Sequence, residues 1–231
     1  MSFAVSLGAN PDYLEQCRYI DPEKRELIKS MLVQGDWRDE LIKSLMDEVS
    51  KIDLCEIAPH IGCAMREDKL VVRCVGQEYT IGVEGTINPD TGNKWIKILL
   101  LHYVRNRGKG EFSNKWVSFS ELKSGFVKAA TFLRECEEPL RELMDQDSAG
   151  IASALERLGA EKAGGFSADL AWSLDLMPRI RTLILYRLGD EEFPSSLKML
   201  FDAVTAAFID VETLIFLCEG LIHTLTKMRK S

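Results

Sequence analysis

"ADLAWSLDLMPRIRTLILYRL", Ala168 to Leu188, decides the fold class. Leu170, Trp172, Leu174 and Leu176 alternate with Asp169, Ala171, Ser173 and Asp175. A period of two sends successive side chains to opposite faces of a β-strand. Met177-Pro178 turns the chain, and Ile180 to Leu188 returns as a second, antiparallel strand. Arg179 and Arg181 then lie close to Asp175 as cross-strand charge partners.

Working outward, "KLVVRCVGQEYTIGV", Lys69 to Val83, reads as another hairpin broken at Gly76-Gln77. "NPDTGN", Asn88 to Asn93, is a turn. "KWIKILLLHYVRNRG", Lys94 to Gly108, is a helix apolar almost all round and belongs in the core. "KWVSF" is a short strand. Gly125 to Gln146 is helical, with a break expected at Pro139. Ser148 caps a further helix that ends at Gly159. Asp210 caps a final helix with Leu214, Leu217, Cys218, Leu221, Ile222 and Leu225 inside; Lys227, Arg229 and Lys230 sit at its end, where the helix dipole favours cations.

The first fifty residues read as helices. Asn10-Pro11 and Asp21-Pro22 are cap-plus-proline starts. Leu27, Ile28, Met31 and Leu32 share one helical face. Trp37, Leu41, Leu45, Val49 and Ile52 share the next, and a short helix follows Asp53. No regular βαβ rhythm appears. The expectation is an α+β fold, a mainly antiparallel sheet of hairpins with packed helices. Residues 1–52 form a helical segment packed on an α+β domain of residues 53–231.

Composition narrows the function classes. The formal charge of −7 repels phosphate backbones, which argues against nucleic-acid binding. No apolar run reaches the ~18–20 residues of a membrane span, and the N-terminus lacks signal-peptide features. The six cysteines, Cys17, Cys55, Cys63, Cys74, Cys136 and Cys218, form no C-x-x-C pair. They read as reduced thiols of a cytoplasmic protein, without a contiguous iron–sulfur or zinc motif.

The densest acidic stretch is "GDEEFPSSLKMLFD", Gly189 to Asp202. Leu197, Leu200, Phe201, Val204 and Phe208 recur at helical spacing, so "PSSLKMLFDAVTAAF" reads as a helix. Glu191 and Glu192 then precede a helix N-terminus, where negative charge is favoured. Lys198 and Asp202 pair four residues apart. The competing reading makes Asp190, Glu191 and Glu192 ligands of a divalent metal.

His102 lies inside the most apolar helix. It is either a hydrogen-bonded core residue or, more sharply, a general base or an axial ligand to a corrinoid or other tetrapyrrole metal. His60-x-x-Cys63 is too short a pattern to mark a metal. Ser120-x-x-Lys123 and Ser195-x-x-Lys198 match the start of a serine acyl-enzyme motif without its companions. "RNRGKGEFSNK", Arg105 to Lys115, is a basic loop able to meet a phosphate or an acidic partner, or a solvated connection.

Taken in order, "LLLHY", "WVSFSELKSG", "LERLGAEKAGG", "LMPRI" and "GDEEFPSSLKMLFD" resemble the bacterial and archaeal family called domain of unknown function 3786. The resemblance covers about Ala58 to Leu225. Its most specific parts are Trp116–Gly125 and Leu176–Asp202. It implies a cytoplasmic protein of anaerobes with an accessory role in corrinoid or related one-carbon metabolism. A corrinoid or iron–sulfur protein is then the implied partner, and a cobamide or other tetrapyrrole the implied ligand. The chain departs from family members with an iron–sulfur domain in lacking their cysteine motif. It also has Ser124-Gly125 where a glycine pair is expected.

The leading expectation is a non-catalytic binding module around the hairpin, the acidic loop and His102. Its candidate contacts are His102, Trp116, Arg179, Asp190, Glu191 and Glu192. The alternatives are an enzyme with a carboxylate site at Asp190–Glu192, and an interaction or regulatory protein acting through its helical N-terminus.

Overall fold

The structure, a computed structural model, describes residues 37–229. The helix starts read at Asn10-Pro11 and Asp21-Pro22, and the face of Leu27 to Leu32, lie outside the described residues.

Two antiparallel sheets and a set of helices make up an α+β fold. The smaller sheet runs in sequence order through β1 (Ala64–Arg66), β2 (Lys69–Cys74), β3 (Gln77–Ile81) and β4 (Ile87–Asn88). The larger comprises β5 (Trp116–Ser118), β6 (Glu161–Lys162), β7 (Leu170–Met177), β8 (Ile180–Arg187) and β9 (Ser196–Asp202), in the order β5-β9-β8-β7-β6. Register sets Trp172 beside Ile184 and Ile184 beside Met199. Leu174, Thr182 and Phe201 form the next row. All six are buried; for the five apolar ones, burial contributes about 1.5–3 kcal/mol each, and the Thr182 hydroxyl donates to Leu200 O at 3.0 Å.

The helices are α1 (Trp37–Ser50), α2 (Leu54–Ile57), α3 (Lys94–Asn106), α4 (Gly125–Phe132), α5 (Glu138–Arg157) and α6 (Val211–Arg229). Their starts follow local chemistry. Asp53 accepts from Cys55 N (2.9 Å) and Glu56 N (3.1 Å) to cap α2. Asn93 caps α3 through Trp95 N at 3.0 Å. Asp210 holds both the amide and the hydroxyl of Thr213 at 2.9 Å to start α6. Helix α3 buries Ile98 to Leu101, Tyr103 and Val104, and packs against α1 and α6. The two sheets are joined where Val75 N–H, in the β2–β3 turn, donates to Leu176 O at 2.8 Å.

Five local expectations are corrected. The segment expected as a helix from Pro194 is instead strand β9, followed by a 3₁₀ turn at Ala203–Ala207. Leu197, Met199 and Phe201 carry a period of two within the helical spacing, and all three are buried in the strand. Pairing along β8 and burial outweigh intrinsic propensities of at most ~0.7 kcal/mol per residue. The Lys198–Asp202 pair therefore does not form: Lys198 Nζ meets Glu137 at 2.9 Å, and Asp202 turns to the loop before β5.

The break assigned to Pro139 lies one turn earlier, as a π-helical turn at Leu133–Glu137. Pro139 itself occupies the opening of α5, where its missing N–H is tolerated. The second half of α5 is capped not by Ser148 but by Asp147, whose backbone leaves the helical region and whose Oδ1 accepts from Gly150 N at 2.9 Å. Finally, Arg181 takes Asp175 (Nε–Oδ1 2.5 Å) as read, whereas Arg179 reaches Glu111 instead.

Candidate functional site

The residues singled out from sequence are distributed over two ends of the large sheet and one helix. Trp116 sits in β5 opposite Asp202, and Asp202 follows Phe201, which faces Thr182 at the start of β8. Arg179, in the β7–β8 turn, belongs to this same end. Its Nη2 donates to Glu111 Oε1 at 2.8 Å. Asp190, Glu191 and Glu192 come after the far end of β8, whose eight residues span roughly 25 Å. The acidic loop thus lies away from Arg179 and Trp116.

The acidic loop precedes a strand, so its charges do not serve a helix N-terminus. Asp190 Oδ1 accepts from Glu192 N (2.9 Å) and Phe193 N (2.7 Å), a self-contained turn. These two amides hold its carboxyl below the usual range. All three acids are exposed. Among the described residues no group of three or more histidine, cysteine, aspartate or glutamate side chains is arranged to hold a metal ion.

Next to this loop the structure brings Ser195 together with three residues that sequence reading missed, Arg141, Asp145 and Tyr186. Asp145 accepts from Tyr186 Oη at 2.6 Å and from Ser195 Oγ at 2.8 Å, and pairs with Arg141 at 2.6 Å. Burial and the Asp145 bond push the Tyr186 phenol up to about 12, so its proton stays in place. Ser195 is held by Asp145 and Arg141, while Lys198 is held by Glu137. The S-x-x-K spacing here makes no nucleophile–base pair.

The basic loop after α3 is likewise tied down. Glu111 meets Arg179, the Arg181 guanidinium stands 4.0 Å from the Phe112 ring centroid, and Asp202 takes Ser113 and Asn114. His102, on α3, has Asp210, Arg105 and Glu48 as its charged neighbours. Burial pushes its imidazole below the usual value. Among the described residues its Nδ1 is buried without a hydrogen-bond partner.

A cavity of about 230 Å³ lies where the β2–β3 hairpin, α3 and α6 meet. The hairpin contributes Cys74, Val75, Gly76, Gln77 and Tyr79. Ile96 and Leu99 face it from α3; Phe216, Leu217, Gly220 and Thr224 face it from α6. The wall is positioned by several devices. Gly76 turns the hairpin at φ +79°, and any Cβ there would come within 2.7 Å of Leu158. Phe216 is held by stacking on Trp95, centroids 4.4 Å apart. Thr224 Oγ1 donates to Gly220 O at 2.8 Å.

The lining is chemically quiet. Among the described residues it contains no carboxylate, histidine, lysine or arginine. Burial pushes the Cys74 thiol up to about 12, which keeps it protonated. This arrangement suits holding a molecule rather than transforming one. The expected neighbourhood was a hairpin, the acidic loop and His102; α3 faces the cavity through Ile96 and Leu99, and neither His102 nor Asp190, Glu191 or Glu192 is among its lining residues. Sequence periodicity carries no signal for such a site, because its three walls are far apart in the chain.

No helix among the described residues is long and apolar enough to cross a membrane. No curated protein and no solved structure matches the chain. The profile of one family, described as a domain of unknown function (DUF3786), matches residues 53–224, so β1 through most of α6, with the cavity and the large sheet, fall inside it. On that match, which spans most of its length, the chain belongs to the DUF3786 family.

Proposed function

We propose that this protein is a non-catalytic binding module that receives a small molecule in the cavity between the β2–β3 hairpin, α3 and α6. The observation that carries this reading is the cavity itself: about 230 Å³ with a wall of mixed polar and apolar surface and, among the described residues, no acid–base pair. The enzyme alternative draws less support, since Asp190, Glu191 and Glu192 are exposed and Asp190 serves its own turn. The corrinoid or iron–sulfur partner, and a tetrapyrrole ligand, draw their support from the family resemblance and from His102. The cavity adds none, being smaller than such a macrocycle and not lined by His102.

The test is a titration of the ¹³C-methyl-labelled protein with phenol, benzoate and benzylamine, followed at Ile96, Leu99 and Leu217. Saturable shifts at these methyls with any one of the three support the reading. Silence in all three overturns it. Visible spectra of the protein mixed with cobalamin or heme check the tetrapyrrole alternative separately.

A further inference from the structure

We infer that the cavity selects an uncharged, largely apolar molecule of one ring, carrying a single hydrogen-bonding group that meets the Tyr79 hydroxyl. This rests on the binding reading above and specifies its ligand. Three observations converge on it.

The first is electrostatic. No charged side chain among the described residues lines the cavity. A charged ligand entering it loses hydration and gains no counter-charge, which penalises it heavily. A neutral molecule meets no such penalty.

The second is a polar group without a partner. Tyr79 is 4% exposed and lines the cavity. Its hydroxyl has no hydrogen-bond partner among the described residues. The oxygen keeps accessible surface, so a ligand in the cavity can reach it. The Thr224 hydroxyl, on the α6 wall of the cavity, donates to Gly220 O, so it offers only lone pairs. One ligand group that both accepts and donates, such as a hydroxyl, is matched to this pair.

The third is size. Gly220 lies within α6, where glycine is disfavoured relative to alanine. A Cβ added there would meet nothing within 4 Å. The glycine leaves that wall open. A cavity of about 150 Å³ holds benzene, so about 230 Å³ accommodates a ring with a short substituent.

The experiment compares phenol, toluene and benzoate by the same methyl titration in the parent, Tyr79→Phe and Gly220→Leu. Phenol is expected to bind at least ~10-fold more tightly than benzoate. Tyr79→Phe is expected to weaken phenol about 3–10-fold, the size of one net hydrogen bond, and toluene less than twofold. Gly220→Leu is expected to abolish phenol shifts while circular dichroism shows the fold retained. If that variant does not fold, the phenol-to-toluene comparison in Tyr79→Phe decides. Benzoate binding as tightly as phenol, or Tyr79→Phe affecting phenol and toluene alike, overturns the inference and leaves the binding module standing. Silence in every arm overturns both.

Discussion

Asp202 accepts both the amide (3.1 Å) and the hydroxyl (2.7 Å) of Ser113, so a 1%-exposed carboxylate at the end of β9 fixes the loop that leads into β5. Asn114 N at 2.7 Å and Val204 N at 2.9 Å complete its shell. Burial alone would push this carboxyl up, but the four donors outweigh it and hold it below the usual range. Replacing one charged acceptor among buried amides costs about 1.5–3 kcal/mol or more. Asp202→Asn is therefore expected to lower stability by roughly 2–3 kcal/mol, measured by urea denaturation at pH 7. A folded pKa below the unfolded one adds stability that is present above about pH 4 and lost as pH falls through the folded value. The parent should lose this increment on acidification and the variant should not. Parallel acid limbs in the two proteins would refute the assignment.

Glu137 plays a different part at the same strand. Its Oε1 accepts from Met199 N at 3.0 Å and its Oε2 from Lys198 Nζ at 2.9 Å. Strand β5 pairs only with Leu200 to Asp202, so the Met199 amide lies past its end and the carboxylate takes the place of a neighbouring strand. Glu137→Ala leaves that buried amide unpaired and is expected to cost about 2–3 kcal/mol. Lys198→Ala removes only a largely exposed cation and should cost less than ~1 kcal/mol. Chemical denaturation of the two variants checks the asymmetry; equal losses would contradict it.

Ser124 stands at φ +66° just before α4, a left-handed conformation that disfavours a side chain by about 1–2 kcal/mol. Gly125 cannot be exchanged, because a Cβ there would come within 1.8 Å of Phe119 O. Ser124→Gly is expected to stabilise the protein by about 0.5–1 kcal/mol after the added freedom of the unfolded chain. That corresponds to a rise in Tm of roughly 1–4 °C. Gly125→Ala should lower Tm. A neutral or destabilising Ser124→Gly would count against the backbone argument.

Glu219 on α6 is pushed up to about 7, chiefly by burial and then by the carboxylate of Glu135. The folded protein thus binds a proton that the unfolded chain releases near pH 4.5. Its contribution is fully present below the unfolded value and is lost as pH rises through about 7. Glu219→Gln should match the parent in thermal melts at pH 4.5. By pH 8 it should exceed the parent by a few degrees. Identical pH profiles would remove Glu219 as the cause.

The sequence disclosed most of the frame because its strongest signals were local. Leu170 to Leu176 alternates without a competing period, and Asn93, Asp53 and Asp210 start helices by chemistry contained within three residues. Leu197 to Phe208 satisfied two periods at once, and the open edge of β8, invisible from those residues alone, settled the choice. The candidate site was less legible. The acids of Asp190–Glu192 drew attention by density, yet they are a surface turn. Tyr79 and Gly220 are 141 positions apart and gave no sign that they face one space. The ties of Asp202 to Ser113 and of Glu137 to Met199 likewise depend on where distant segments meet.

The pairing of β5 with β9 has a kinetic consequence. The meander β7–β8–β9 closes through short connections, whereas Ser113 and Asp202 are 89 residues apart. Closing the longer loop carries the larger entropic penalty and gains little until its partner strand exists. We therefore expect assembly in a set order, the meander first and the Trp116–Ser118 edge last. In pulse-labelled hydrogen exchange during refolding, amides of β8 should gain protection before those of β5. Simultaneous protection would mean that the whole sheet condenses in one step.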